Sequence, residues 1–166
     1  MKKIIVIAFM LVSCVSFSQK NTLKEMLLSG SWATKSVYIE NRFSHNFEND
    51  SITIYDTMAL SNMNESPYAN DRITLAAKKY ATALLETYQF NSDFTCTVTR
   101  FGKDVVKYTF AVDETTKTIT LIDNSDKTNA FKMNVTTIDQ DKIAFQFLSE
   151  KLRSYASTLK RVNTKR

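Results

Sequence analysis

The sequence predicts a mainly β fold: an antiparallel up-and-down meander closed into a barrel of about eight strands, with a short N-terminal helix and one longer helix inserted between early strands. Three observations carry this. Turn signals recur roughly every ten residues over 88–162, the spacing of an antiparallel sandwich or barrel. Between the turns every second residue is apolar, as in Val106, Tyr108, Phe110 and Val112, in Phe131, Met133 and Val135, and in Ile143, Phe145 and Phe147. Each strand therefore has one apolar and one polar face. Such a meander must close on itself or lay its apolar face on something, and closure removes exposed edges.

The elements follow in order. Met1, Lys2 and Lys3 precede an unbroken apolar run over 4–12, the charged and apolar regions of a secretory signal peptide. The run is shorter than the roughly 20 residues that a spanning helix needs. The expected organisation is a signal peptide over 1–18 and one domain over 19–166. Ser16 and Ser18 suit cleavage after Ser18. Leu11-Val12-Ser13-Cys14 also fits a bacterial lipobox, with Cys14 lipidated and retained. The chain is thus expected to be exported, periplasmic or secreted, or alternatively a membrane-anchored lipoprotein through Cys14. No later segment is apolar for long enough to span a membrane.

Thr22 and Glu25 have capping-box spacing for a helix over 21–28 that Gly30 can end. Residues 31–40 read as a strand rich in aromatic and β-branched side chains, 42–49 as a polar loop, and 51–55 as a second strand. Residues 61–66 form a polar turn region closed by Pro67, the single proline. From residue 69 the period lengthens: Ile73, Ala76, Ala77, Tyr80, Ala83, Leu84 and Thr87 recur at helical steps. Asn70 or Asp71 would cap this helix, with Lys78, Lys79 and Glu86 outside; it could cover one open end of a barrel. The meander then runs through strands at 88–90, 94–101, 105–112, 117–123, 130–138, 142–148 and 155–162.

Three short features resemble the lipocalin-like domains of exported bacterial proteins, within the calycin group. Gly30-Ser31-Trp32 opens the first strand after a short helix. Tyr88-Gln89-Phe90-Asn91-Ser92-Asp93-Phe94-Thr95 looks like that family's Phe-Asn-x-Asp-Gly-Thr hairpin, with Phe94 in place of the usual glycine. Thr158-Leu159-Lys160-Arg161 resembles the basic closing strand. The resemblance covers about residues 23–162. It implies that Gly30, Trp32 and Arg161 close the barrel floor, the basic side chain lying over the indole. Such a contact is worth roughly 0.5–2 kcal/mol.

Composition and motifs point away from catalysis. The formal net charge is +5 and loses two positive charges with Lys2 and Lys3; a mild excess on an exported chain does not suggest nucleic acid. The basic residues Lys151, Arg153, Lys160, Arg161, Lys165 and Arg166 read as a solvated tail. Beyond Cys14, Cys96 stands alone, so no intrachain disulfide is expected, and its apolar surroundings suggest a small buried side chain. His45 is the single histidine, expected in a solvated loop, and no cysteine pair supports zinc. Asp113 with Glu114, Asp123 with Asp126, and Asp139 with Asp141 read as hairpin turns. No cofactor, metal or catalytic residue is expected.

Aromatic side chains carry the remaining functional expectation. Tyr38, Phe90, Tyr108, Phe110, Phe131, Phe145 and Phe147 are the candidate lining of a cavity for a small hydrophobic ligand. The leading expectation is an exported, non-catalytic lipocalin-like protein. The alternative is a filled barrel acting as an envelope interaction module that docks on another protein or polymer. A cavity above roughly 300 Å³ with apolar walls separates the two.

Overall fold

The computed structural model describes residues 22–55, 69–148 and 155–162. The signal segment, both processing sites, Pro67 and the end of the tail lie outside the described residues. Two helices, α1 (Leu23–Leu28) and α2 (Ala69–Thr82), accompany ten strands. These are β1 (Ser31–Ile39), β2 (Phe43–Asn46), β3 (Ser51–Ile54), β4 (Glu86–Phe90), β5 (Thr95–Arg100), β6 (Asp104–Asp113), β7 (Thr118–Asp123), β8 (Ala130–Ile138), β9 (Lys142–Leu148) and β10 (Tyr155–Val162). Strands β4 to β10 pair consecutively and antiparallel, and β1 bonds to both β4 and β10. The result is a closed eight-stranded barrel with β2 and β3 as an outlying hairpin.

The hairpin explains a segment that the sequence leaves unplaced. Strand β1 pairs with β10 over most of its length, but its other edge is divided. Ser31, Trp32 and Ala33 face Gln89, Tyr88 and Thr87 of β4, whereas Ser36 to Ile39 face Asn46 to Phe43 of β2. The register slips between Thr34 and Ser36, a β-bulge at Lys35. The predicted loop over 42–49 is therefore corrected: Phe43 and His45 alternate inward as a strand, a short pattern that its polar neighbours conceal. His45 is corrected with it. It is 4% exposed, and its Nε2 lies 3.0 Å from Asp50 Oδ1. Lys78 of α2 donates to the other Asp50 oxygen, tying the helix to the hairpin. These two partners, Lys78 foremost, hold the Asp50 carboxyl below its ordinary pKa.

Helix α2 also differs from its expected outline. It starts at Ala69, so Asn70 and Asp71 occupy its first turn rather than its cap, and Thr87 belongs to β4. Ala81 is its most buried residue, packed with Val37, Ile39 and Phe43, while Tyr80 is more than half exposed. Glu86, expected on the helix exterior, is buried in β4.

Helix α1 plugs one end of the barrel. Its capping box is present: Thr22 Oγ1 accepts from Glu25 N–H, and Glu25 accepts from Thr22 N–H. Leu23 and Leu27 are buried beneath it against Trp32, whose Nε1 donates to the Leu27 carbonyl at 3.0 Å. The Arg161 guanidinium carbon lies 5.2 Å from the Trp32 ring centroid, and Arg161 Nη2 donates to Ser29 Oγ at 2.6 Å. Ser29, with right-handed backbone, caps the C-terminus of α1. Gly30 serves close approach instead of ending the helix, since a Cβ there would sit 3.3 Å from Arg161 Cγ.

The acidic turns bond their own backbones. Asp113, Asp123, Asp126 and Asp139 each accept an N–H from two residues ahead. Glu114 instead reaches α1, accepting from Leu23 N–H at 3.1 Å and Lys24 N–H at 2.9 Å. Burial raises its pKa, but these N–H groups and Lys117 outweigh it, and the net shift is below 4.5. A depressed folded pKa gives stability that is complete above the unfolded value and is lost as pH falls through the folded one. Glu114→Gln should therefore cost about 0.5–1 kcal/mol at neutral pH. Guanidinium titrations repeated at falling pH should show the two proteins converging once the pH drops beneath the ordinary glutamate range.

Phe94 takes the place where the resembling hairpin has glycine, and its φ is +64°. A left-handed L-residue costs roughly 1–2 kcal/mol. Its ring is held by Lys24, whose ammonium lies 4.1 Å from the centroid, and by Phe110 at 5.9 Å.

Candidate functional site

The barrel interior is layered. Next to Trp32 the space is filled by Phe90, Cys96, Phe110, Ile119, Met133, Phe145 and Leu159, all buried. Rings there meet edge to face, Phe90 on Phe110 at 5.1 Å and Phe145 on Tyr88 at 6.1 Å. Burial pushes the Cys96 thiol up to about 12, so it stays protonated and behaves as a small apolar side chain.

Above that layer, at the end away from Trp32, lies a cavity of about 470 Å³. Tyr88, Val98, Tyr108, Leu121, Phe131 and Phe147 supply its wall, and Tyr80 at the C-terminal end of α2 supplies part of its rim. Glu86 and Arg100 face each other across the β4–β5 pair, both on the inward face. Arg100 Nε donates to Glu86 Oε1 at 2.7 Å. Tyr88 donates its hydroxyl hydrogen to the other Glu86 oxygen, and Arg100 Nη2 lies 3.4 Å from Tyr108 Oη. Burial raises the pKa of both Tyr88 and Tyr108, so both hydroxyls remain donors at neutral pH. Burial pulls the Arg100 pKa down, but the Glu86 carboxylate outweighs it and the guanidinium stays charged.

The place of Glu86 is set by Thr34. At the point where β1 exchanges β4 for β2, the buried Thr34 hydroxyl donates to the Glu86 carbonyl at 3.0 Å and accepts from the Glu86 N–H at 3.1 Å. One side chain thus stands in for a missing strand neighbour.

The expected lining divides between the two layers. Tyr108, Phe131 and Phe147 line the cavity. Phe90, Phe110 and Phe145 are corrected to the filled layer beneath it. Tyr38 is corrected to the outer surface, where it is 40% exposed and meets Tyr55 edge to face at 5.8 Å. The bulge at Lys35 inverts the alternation of β1: Trp32 and Thr34 point inward before it, Val37 and Ile39 after it. Sequence reasoning missed Glu86, Arg100 and Tyr88. A signal was available in Glu86, Tyr88 and Phe90, which alternate ahead of the Asn91 turn, but the helical stripe running to Thr87 masked it.

A second recess of about 440 Å³ lies between the β2–β3 hairpin and α2, with Ile39, Phe43, Ile54, Ile73 and Ala77 along it. It carries Arg42 at its edge and has no convergent polar set comparable with the barrel cavity. Among the described residues no group of three or more His, Cys, Asp or Glu is placed to hold a metal ion, and no helix is long and apolar enough to cross a membrane.

No protein-family model and no curated protein matches the chain. Among solved structures it is similar to a DUF4847 family protein from Bacteroides vulgatus, at 13% identity and a TM-score of 0.46, over 86% of this chain and 99% of that one.

Proposed function

We propose that this chain is an exported, non-catalytic, lipocalin-like carrier that holds a small, largely hydrophobic molecule in the open end of its barrel. The observation that carries this reading is the cavity of about 470 Å³ above a filled aromatic floor. Its size lies in the range of small-molecule sites, roughly 300–1,000 Å³, and its wall combines apolar side chains with a few convergent polar groups. Export is supported by the charged and apolar run at the amino end, with Ser18 and Cys14 as the alternative processing sites.

Native mass spectrometry of the protein purified from its own source tests the reading. The expected result is a small molecule that leaves on denaturation, with a polypeptide mass that begins after Ser18 or carries acyl chains on Cys14. Empty protein that also fails to take up the neutral fluorescent probe N-phenyl-naphthylamine overturns the carrier. An uncleaved chain overturns export.

A further inference from the structure

We infer that the cavity selects an uncharged head group that accepts hydrogen bonds, such as an ester, ketone or amide carbonyl, and disfavours a free carboxylate. The inference rests on the carrier reading and deepens it.

A guanidinium has five N–H groups and no acceptor. Arg100 commits its Nε to Glu86, and its nearest further contact, Nη2 to Tyr108 Oη at 3.4 Å, is longer than an ordinary hydrogen bond. Its side chain is 41% exposed at the cavity wall, so terminal N–H groups are left to offer to a guest. Both Glu86 oxygens, by contrast, already accept, one from Arg100 and one from Tyr88. Around the guanidinium the surplus is therefore of donors, and the guest group that matches it there is an acceptor; the Asp104 carboxylate stands apart on the exposed rim.

Charge then separates acceptors. The acidic and basic side chains at the wall are Glu86, Arg100 and Asp104. Arg100 is matched by Glu86 at 2.7 Å, and Asp104 stands opposite Arg100 in the β5–β6 register. A guest carboxylate would be a third anion around one cation. The aromatic walls lower the local dielectric, so that repulsion is stronger than in water. A neutral carbonyl takes the same N–H groups without it.

The test is competition of methyl decanoate, decanoate and decylammonium against N-phenyl-naphthylamine, on the full processed chain at pH 7. The expected order places the ester at least about tenfold tighter than decanoate. An ester is greasier than a carboxylate in any pocket, so the deciding measurement is the response of that gap to Glu86→Gln. Replacing this carboxylate frees the guanidinium, and decanoate should gain about tenfold relative to the ester. Asp104→Asn, on the exposed rim, should narrow the gap in the same direction and serves if Glu86→Gln does not fold. Decanoate or decylammonium binding as tightly as the ester, or a gap unmoved by both variants, overturns the head-group inference and leaves the carrier standing. Failure of all three compounds and of the probe counts against the carrier itself.

Discussion

Trp32→Ala is expected to remove about 3–5 kcal/mol of folding stability, the range for truncating a large buried aromatic. Trp32 is 0% exposed and ties three separate pieces together. Its indole N–H holds the Leu27 carbonyl at the end of α1, its face receives Arg161 from β10, and its backbone sits where β1 is bonded to both β4 and β10. Removing it opens a void under Leu23 and Leu27 and leaves the Leu27 carbonyl without its donor. Arg161→Ala removes the cation over the indole face and the hydrogen bond to Ser29, without opening a void beneath α1, and should cost about 1–2 kcal/mol. Small domains have about 5–15 kcal/mol in all, so the alanine variant should be visibly weakened in guanidinium. Far-ultraviolet circular dichroism is the proper probe, because Trp32 is the chain's single tryptophan. A cost below about 1 kcal/mol would show that the floor closes without it.

The second large effect is expected at Glu86. Glu86→Ala should cost about 2–3 kcal/mol, below the 3–5 of a fully buried pair because Arg100 can turn to water. Most of the loss falls on Tyr88, whose buried hydroxyl then has no acceptor. Glu86→Gln keeps an acceptor for Tyr88 and should cost about 1 kcal/mol. The pairing predicts non-additivity. Glu86→Ala and Arg100→Ala together should cost less than the sum of the two, by about 1 kcal/mol or more. Equilibrium unfolding of the two single variants and the double variant measures this. Strict additivity would mean that the two side chains, though 2.7 Å apart, do not support one another.

Much of this architecture is legible in the residues, and the failures have physical causes. The seven strands from β4 to β10 follow from alternation and turn chemistry, because each has one wet face and the turns joining β4 to β9 carry Asn, Asp or Gly in or beside them. The short strand β2 is hidden because four residues hold only two inward positions, and one of them is a histidine. The inversion at Lys35 cannot be read from β1 alone, since a bulge moves every later side chain to the opposite face without altering composition. That one slip accounts for Tyr38. Alternation says which side chains point inward but not whether their volumes fill the barrel, so the boundary between the filled layer and the cavity, and with it the places of Phe90, Phe110 and Phe145, is set by packing that the linear pattern does not encode. Glu86 was lost because a helical period and a strand period overlap where α2 gives way to β4.

The divided edge of β1 has a mechanical consequence. Most of the wall is stitched by continuous ladders, but where β4 parts from β1 the stitching comes down to a single threonine hydroxyl. Opening of the wall is therefore expected to begin along this seam, with the hairpin staying on β1 through its own ladder. The other edge of β1, where β10 runs along nearly its whole length, would stay shut.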